Sequence, residues 1–316
     1  MWIIIAAVVI ILGGGIAAML KVTMPIAKNV YMTQLVKTEP SKWGRECSAP
    51  ENEEQIAMWN EGIEWAKENE EYKKEVMIEN DGLKLYGEYY DFGYDRVAII
   101  LPGRCECLMY SYYFASPYKE GGCNVLVIDS RCHGKSDGKY STIGAKESKD
   151  VLKWIKFLQE NFTVKEVYFH GVCIGSAAGI YAMENPACPD IVKGMVTEGC
   201  FTNFRETFKQ HMIVDNRPLF PVLDLVMWNI KKYTGVDVIK QSPINSMKNM
   251  NKRMLFLFGE KDVFSIPPKS KQLFEACASE DKKLVWFDKG GHSHLRINNK
   301  EKYDREVVEF LQYEGK

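Results

Sequence analysis

The segment Val167 to Gly179, VYFHGVCIGSAAG, leaves little freedom in local structure. An apolar run of β-branched and aromatic residues stops at Gly171, and the small residues Gly175, Ser176, Ala177, Ala178 and Gly179 follow. The first part reads as a strand and the second as a helix. Glycines at 171 and 175 let the chain turn sharply between them. Such a turn presents its central residue, Cys173, at the N-terminus of the helix.

The same alternation runs from Val76 onward. LKLYGEYYDF, RVAIILPG, NVLVIDS, EVYFHGV, VKGMVTEG, MLFLFGE and KLVWFD read as strands, with amphipathic segments between or after most of them. Val151, Trp154, Ile155 and Leu158 recur at helical spacing, as do Tyr303, Val307, Phe310 and Leu311, each set giving one apolar stripe. The reading is an α/β fold over residues 76–316, a mostly parallel sheet with helices on both faces. Phe201 to Met250 interrupts it with Pro218, Pro221 and Pro243 and the run FPVLDLVMWNIKKYTG. About fifty such residues between two strands predict a small helical cap insertion over 201–250.

The chain opens with MWIIIAAVVIILGGGIAAML, which carries no charged side chain. At roughly 1.5 Å per residue, a helix of this length spans a hydrocarbon core of about 30 Å, so residues 1–20 are expected to be a transmembrane anchor. A cleaved signal peptide is the rival reading. It is disfavoured because a basic n-region is missing, the apolar run is too long and GIAAML is a poor cleavage site. Residues 21–75 are polar and partly helical, with Ile56, Trp59, Ile63 and Ala66 at helical spacing, and are expected to form a stalk or a helix packed on the main domain. Lys21, Lys28, Lys37, Lys42 and Arg45 follow the anchor, a bias that places the body on the cytoplasmic side.

Composition narrows the partners. With 41 Lys plus Arg against 42 Asp plus Glu, the chain has no general attraction for nucleic acid, which leaves a small molecule as the expected ligand. The nine cysteines lack the paired spacings of a secreted disulfide scaffold, in keeping with a reducing compartment. Oligomeric state is not readable from the sequence.

Gly171-Val172-Cys173-Ile174-Gly175 has the form of the G-x-S-x-G nucleophile elbow, with cysteine in place of serine. With the motifs that follow, the chain from about Leu83 onward resembles the α/β-hydrolase superfamily, notably bacterial esterase and lipase-like members with an N-terminal membrane segment. Asp129 to Tyr140, DSRCHGKSDGKY, is similar to the family's D-x-R-G-H-G-x-S loop, with Cys132 replacing a glycine, and the resemblance implies a structural role. LPGR, Leu101 to Arg104, stands where the family has a His-Gly oxyanion loop, with Pro102 replacing the histidine. A backbone donor needs no particular side chain, so the N–H of Arg104 or Cys105, together with that of Ile174, would hold an oxyanion. LFLFGEKDVFSIP places Asp262 just after a strand, and FDKGGHSHL places His292 in a loop before the last helix.

The resemblance implies that Cys173 is the nucleophile, His292 the base and Asp262 the residue that orients it, in the chain order of this fold. His294 is the alternative base and Glu198 the alternative acid. The expected activity is hydrolysis of an ester, thioester or other acyl bond in a small-molecule substrate, with no cofactor and no metal. Cys105 and Cys107 with Cys132 and His133 lack a zinc spacing. His170 reads as a packed core residue, while His211, in the insertion, touches either substrate or solvent. Two other readings share the scaffold: a non-catalytic binding protein, and a redox-responsive thiol protein, for which no resolving cysteine is evident around Cys173.

Overall fold

The computed structural model describes residues 2–312; Met1 of the expected anchor and residues 313–316 of the expected catalytic domain lie outside them. The strands are β1 (Lys73–Asn80), β2 (Leu83–Tyr90), β3 (Arg96–Leu101), β4 (Asn124–Ile128), β5 (Glu166–Val172), β6 (Val192–Glu198), β7 (Arg253–Gly259) and β8 (Lys282–Phe287). The helices are α1 (Trp2–Leu35), α2 (Glu53–Glu68), α3 (Leu108–Ser111), α4 (Ser116–Glu120), α5 (Glu147–Asn161), α6 (Ile174–Glu184), α7 (Phe204–Val214), α8 (Val222–Thr234), α9 (Pro243–Ser246), α10 (Pro267–Ala276), α11 (Leu295–Asn298) and α12 (Lys300–Gln312).

One eight-stranded sheet runs in the order β1-β2-β4-β3-β5-β6-β7-β8. The pairs β1–β2 and β2–β4 are antiparallel and the others parallel. The chain moves outward from β3 to β4 and then returns to lay β5 on the other side of β3. That reversal opens a crevice at the carboxyl ends of β3 and β5, the usual ligand position in an open α/β sheet. Register brings the two ends level, with Leu101 opposite Gly171. The expected α/β-hydrolase fold is the one observed.

The apolar stripes do what their spacing predicts: Val151, Trp154, Ile155 and Leu158 of α5 are buried, as are Tyr303, Val307, Phe310 and Leu311 of α12. Helix α2 is rotated from expectation. Its buried residues are Gln55, Met58, Gly62 and Ala66, whereas Ile56, Trp59 and Ile63 are only half-buried. A side chain at Gly62 would meet the Tyr113 backbone nitrogen at 3.0 Å, so close approach of the two backbones turns that face inward.

Helix α1 does not end with the uncharged run. It continues through Pro25 to Leu35 because Ala27, Val30, Tyr31 and Leu35 bury a second stripe, and Tyr31 stacks on Tyr233 of α8 at 5.4 Å. The segment after it lies along the body: Val36 bridges Tyr140, Gly134 N donates to Trp43 O at 2.8 Å, and Arg45 pairs with Asp129 at 2.7 Å. Of residues 201–250, helices α7, α8 and α9 occupy most, between β6 and β7.

Candidate active site

The turn at Cys173 is held from both sides. Cys173 has φ 51° and ψ −109°, a conformation that costs a non-glycine residue about 1–3 kcal/mol. A Cβ at Gly171 would lie 2.6 Å from the Ser176 backbone, and one at Gly175 would lie 2.1 Å from the Leu101 carbonyl oxygen. Only glycines let α6 pack this tightly on the ends of β3 and β5. Cys173 N donates to Glu198 O at 2.9 Å, and Ser176 Oγ to Gly171 O at 2.6 Å, which pins the turn to β6 and to itself. The cysteine is 6% exposed.

Asp262 follows β7, and two amides fix its carboxylate: Phe264 N and Ser265 N each donate to Oδ1 at 2.8 Å. The other oxygen, Oδ2, lies 2.7 Å from Nδ1 of His292, which sits in the loop after β8. The Cys173 side chain lies close enough to the same imidazole to raise its pKa. Burial alone would lower the His292 pKa, but the charges of Asp262 and Cys173 and the hydrogen bond to Asp262 raise it well above 6.5. Burial likewise pushes Asp262 upward, and the imidazole and amides reverse this, leaving its carboxyl below the ordinary value. Gly199 makes room for the ring, since a Cβ there would come within 3.0 Å of His292 Cε1.

The alternative partners point elsewhere. His294 Nε2 lies 2.6 Å from Gln55 Oε1, and its Nδ1 lies 3.7 Å from Glu54, so it faces α2. Glu198 is wholly buried and accepts from Tyr303 Oη at 2.5 Å and from Leu295 N at 3.3 Å. Burial pushes its carboxyl up to about 7, against the pull of those hydrogen bonds.

The loop after β3 brings Arg104 and Cys105 to the same crevice, with Cys105 at φ 69°. Gly103 N is taken by Glu106 Oε2 at 2.8 Å. The backbone N–H groups of Arg104, Cys105 and Ile174 have no protein acceptor among the described residues. Asp129 of the DSRCHG segment holds this loop in place by accepting from Leu108 N at 2.7 Å. Arg131 of that segment grips Asp150 of α5 with two bonds of 2.7 Å, and Cys132 has φ 62° where the family's loop has glycine.

Glu106 and Cys200 were not singled out in the sequence, and the neighbours of His211 were not readable from it. Glu106 enters the site from a loop with no periodicity, and burial raises its carboxyl to about 6 while Gly103 N, His292 and Arg104 draw it down. His211 of α7 stacks on Phe264 at 3.8 Å, and Phe264 meets His292 edge-on at 5.4 Å, so the insertion backs the histidine loop. Burial, with the charges of Arg104, His292 and Arg217, lowers the His211 pKa to about 2. Cys105 and Cys200 lie near enough to Cys173 for its charge to raise their pKa values, beyond the larger effect of burial.

His170 is a core residue, between Tyr118 Oη at 2.8 Å and Tyr303 Oη at 3.4 Å. No group of three or more His, Cys, Asp or Glu among the described residues is arranged to hold a metal ion. A cleft of about 910 Å³ lined by Asp95, Lys165, Asp190 and Arg253 lies at the other end of the sheet, where the strands begin, and carries none of these groups.

The profile of the prolyl oligopeptidase family matches residues 115–315, more than half of the chain. The chain belongs to the prolyl oligopeptidase family. The matched stretch contains Cys173, Asp262 and His292, whereas the loop of Arg104 and Cys105 and helices α1 and α2 precede it. The family member is 25% identical over 216 residues to the uncharacterized protein YqkD of Bacillus subtilis, covering 67% of this chain and 70% of that one. It is 24% identical over 232 residues to an uncharacterized membrane protein of Saccharomyces cerevisiae, YNL320W, covering 72% and 76%. In structure it is similar to the Pyrococcus furiosus esterase Pf2001, with TM-score 0.66, 22% identity and coverage of 78% and 93%. It is also similar to a Paleococcus ferrophilus monoacylglycerol lipase, with TM-score 0.54, 20% identity and coverage of 72% and 98%. At these identities the structural likenesses establish the α/β-hydrolase fold.

Proposed function

We propose that this hydrolase cleaves thioesters or other activated acyl bonds with a Cys173–His292–Asp262 triad. The observation that carries the reading is the imidazole of His292, held by Asp262 at 2.7 Å and close enough to a cysteine at a strained strand-to-helix turn for that cysteine to raise its pKa. In this mechanism His292 has taken the thiol proton before the sulfur attacks the acyl carbon. The N–H groups of Ile174 and of Arg104 or Cys105 receive the oxyanion. Collapse of the adduct expels the leaving group, protonated by His292, and water activated by the same imidazole then releases the acid and restores the thiol. Asp262 keeps Nδ1 protonated and the ring in orientation.

We also propose that residues 2–20 cross a membrane with the catalytic body on the cytoplasmic side. Helix α1 supports this by length and composition, its stretch Ile11–Leu35 being long and apolar enough to cross a membrane, and the lysines after residue 20 support the direction.

Labelling the full-length protein with an acyl-directed activity probe, with and without iodoacetamide, tests the chemistry. Labelling at Cys173 that alkylation abolishes is the expected result. A folded protein that neither labels nor turns over thioesters would instead be a binding protein on a hydrolase scaffold.

A further inference from the structure

The two ends of α1 do different work, and the place where they meet carries a groove. Met24, Pro25 and Lys28 of α1 face Leu225, Trp228 and Lys232 of α8 across a cleft of about 390 Å³. Its height relative to a bilayer follows from the helix. Lys21 is the first charge after the apolar run, and Met24 and Lys28 lie three and seven residues further on, about 4.5 and 10 Å along the axis. The head-group layer extends about 5–7.5 Å beyond the hydrocarbon core on each side, so Met24 lies within it and Lys28 just beyond, where its long side chain can reach back. Trp228 and Lys232, which share the cleft with Met24 and Lys28, are therefore held among the head groups.

Their chemistry fits that position. Trp228 is 45% exposed, and the Lys232 ammonium lies 4.8 Å from its ring centre. An indole ring with an apolar body and a polar edge, flanked by a cation, is the residue pair that membrane interfaces select. Among the described residues neither Lys28 nor Lys232 has a carboxylate partner, whereas the neighbouring Lys231 is paired with Asp237 at 2.9 Å. Phe220, two residues before α8, is 77% exposed and adds apolar surface at the start of that helix. Two unpaired ammonium groups at the rim of an apolar cleft match an amphiphile with one negative head.

We propose that the α1–α8 groove is a phospholipid site at the membrane surface. An acyl chain lies against Met24, Pro25, Leu225 and Trp228, and the phosphate sits between Lys28 and Lys232. The site rests on the reading of residues 2–20 as an anchor, and it seats the inserted helices α7 and α8 on the bilayer. An anionic head group is preferred because both lysines are free to meet it.

The test uses full-length protein in vesicles of brominated phosphatidylcholine or brominated phosphatidylglycerol. Bromine quenches tryptophan on contact, and the variants Trp228→Phe and Trp2→Phe isolate the emission of each indole by difference. Trp2 reports the anchor and Trp228 the groove. Quenching of both is expected, with the Trp228 component quenched as an interfacial indole should be and quenched more in phosphatidylglycerol. The Lys28→Gln/Lys232→Gln double variant should erase that preference, and an unchanged preference would overturn the phosphate contact. Quenching of Trp2 without Trp228 overturns the lipid site while leaving the anchor intact, which is also the outcome if a second copy of the chain fills the groove. If neither is quenched, the anchor reading fails and takes the groove with it.

Discussion

Gln34 Oε1 accepts a hydrogen bond from Arg104 Nη1 at 3.0 Å, so the last turn of the helix that begins in the apolar run touches the loop proposed to hold the oxyanion. Arg104 pairs with no carboxylate within ion-pair distance, which leaves Gln34 as its side-chain oxygen partner among the described residues. Gln34→Ala should therefore loosen the loop rather than the fold. A hydrogen bond from a charged donor contributes about 1.5–3 kcal/mol, so kcat should fall about 10- to 100-fold with the melting temperature little changed. Gln34→Glu, which can meet the guanidinium as a charged partner, should keep or raise activity. A Gln34→Ala variant with unaltered kcat would detach the loop from the helix.

His292 and His294 should separate cleanly. His292→Ala is expected to cost a thousandfold or more in acyl turnover, as removal of a triad base does. His294 meets Gln55 and Glu54, and its replacement by alanine should cost only a modest factor. Steady-state kinetics on a thioester decide between them.

The same pair shapes stability. A histidine raised in the fold adds stability that is complete below its unfolded pKa near 6.5 and lost as pH rises through the folded value. An aspartate lowered in the fold adds stability present above its unfolded pKa near 3.8 and lost as pH falls through the folded one. The Asp262–His292 contact is therefore worth most between roughly pH 4 and 6.5. The melting-temperature difference between wild type and Asp262→Asn should peak in that window and shrink at both ends; a difference independent of pH would show that the pair adds nothing electrostatic.

Much of this was legible because strong local signals agreed with the tertiary fold. The turn at Cys173 could be read because Gly171 and Gly175 leave no other use for the small residues that follow, and the stripes of α5 and α12 because one face alone meets the sheet. Strand β1 was missed because it is the sheet's edge: of KKEVMIEN only Ile78 is buried, so no apolar run marks it. The inward face of α2 was misjudged because Gly62 reaches the core by lacking a side chain, a choice no hydrophobic pattern records. Glu106, and the contact that ties His211 to the histidine loop, were hidden for a related reason. Their proximity to His292 is made by chain segments that pack together only after the sheet has formed.

Glu198 should make stability fall with rising pH. Its folded pKa of about 7 lies above the unfolded value near 4.5, so between these the native state binds more protons and loses stability as pH increases. Glu198→Gln can keep the contact with Tyr303, whose hydroxyl can turn its proton toward His170 Nε2 at 3.4 Å. The variant should gain on wild type progressively from pH 4.5 to 7, by at most about 3 kcal/mol at the conversion of 1.36 kcal/mol per pKa unit. Urea denaturation across that range measures it, and parallel curves would refute the shift.

Backbone strain at Cys173 can be measured apart from its chemistry. Cys173→Ala and Cys173→Gly both remove the sulfur, but only glycine adopts φ 51° and ψ −109° without penalty. The glycine variant should be the more stable of the two by about 1 kcal/mol, reversing the usual order in a rigid segment. Equal stabilities would mean that the turn relaxes once the thiol is gone.

The sulfur itself should restrict the substrate. In the tetrahedral adduct of a simple alkyl ester, thiolate is a far better leaving group than alkoxide, so the adduct returns to starting material unless His292 protonates the departing oxygen first. Thioesters, aryl esters and enol lactones escape this because their own leaving groups compete with the cysteine. Wild type should therefore turn over thioesters and aryl esters and act poorly on long-chain alkyl esters, including glycerides, with iodoacetamide abolishing activity. Comparing wild type, Cys173→Ser and Cys173→Ala on a thioester and an alkyl ester is decisive. Equal thioester turnover by wild type and the alanine variant would remove Cys173 from the mechanism. A serine variant that gains alkyl-ester activity would show that His292, Asp262 and the backbone donors are already competent, and that the thiol alone sets the restriction.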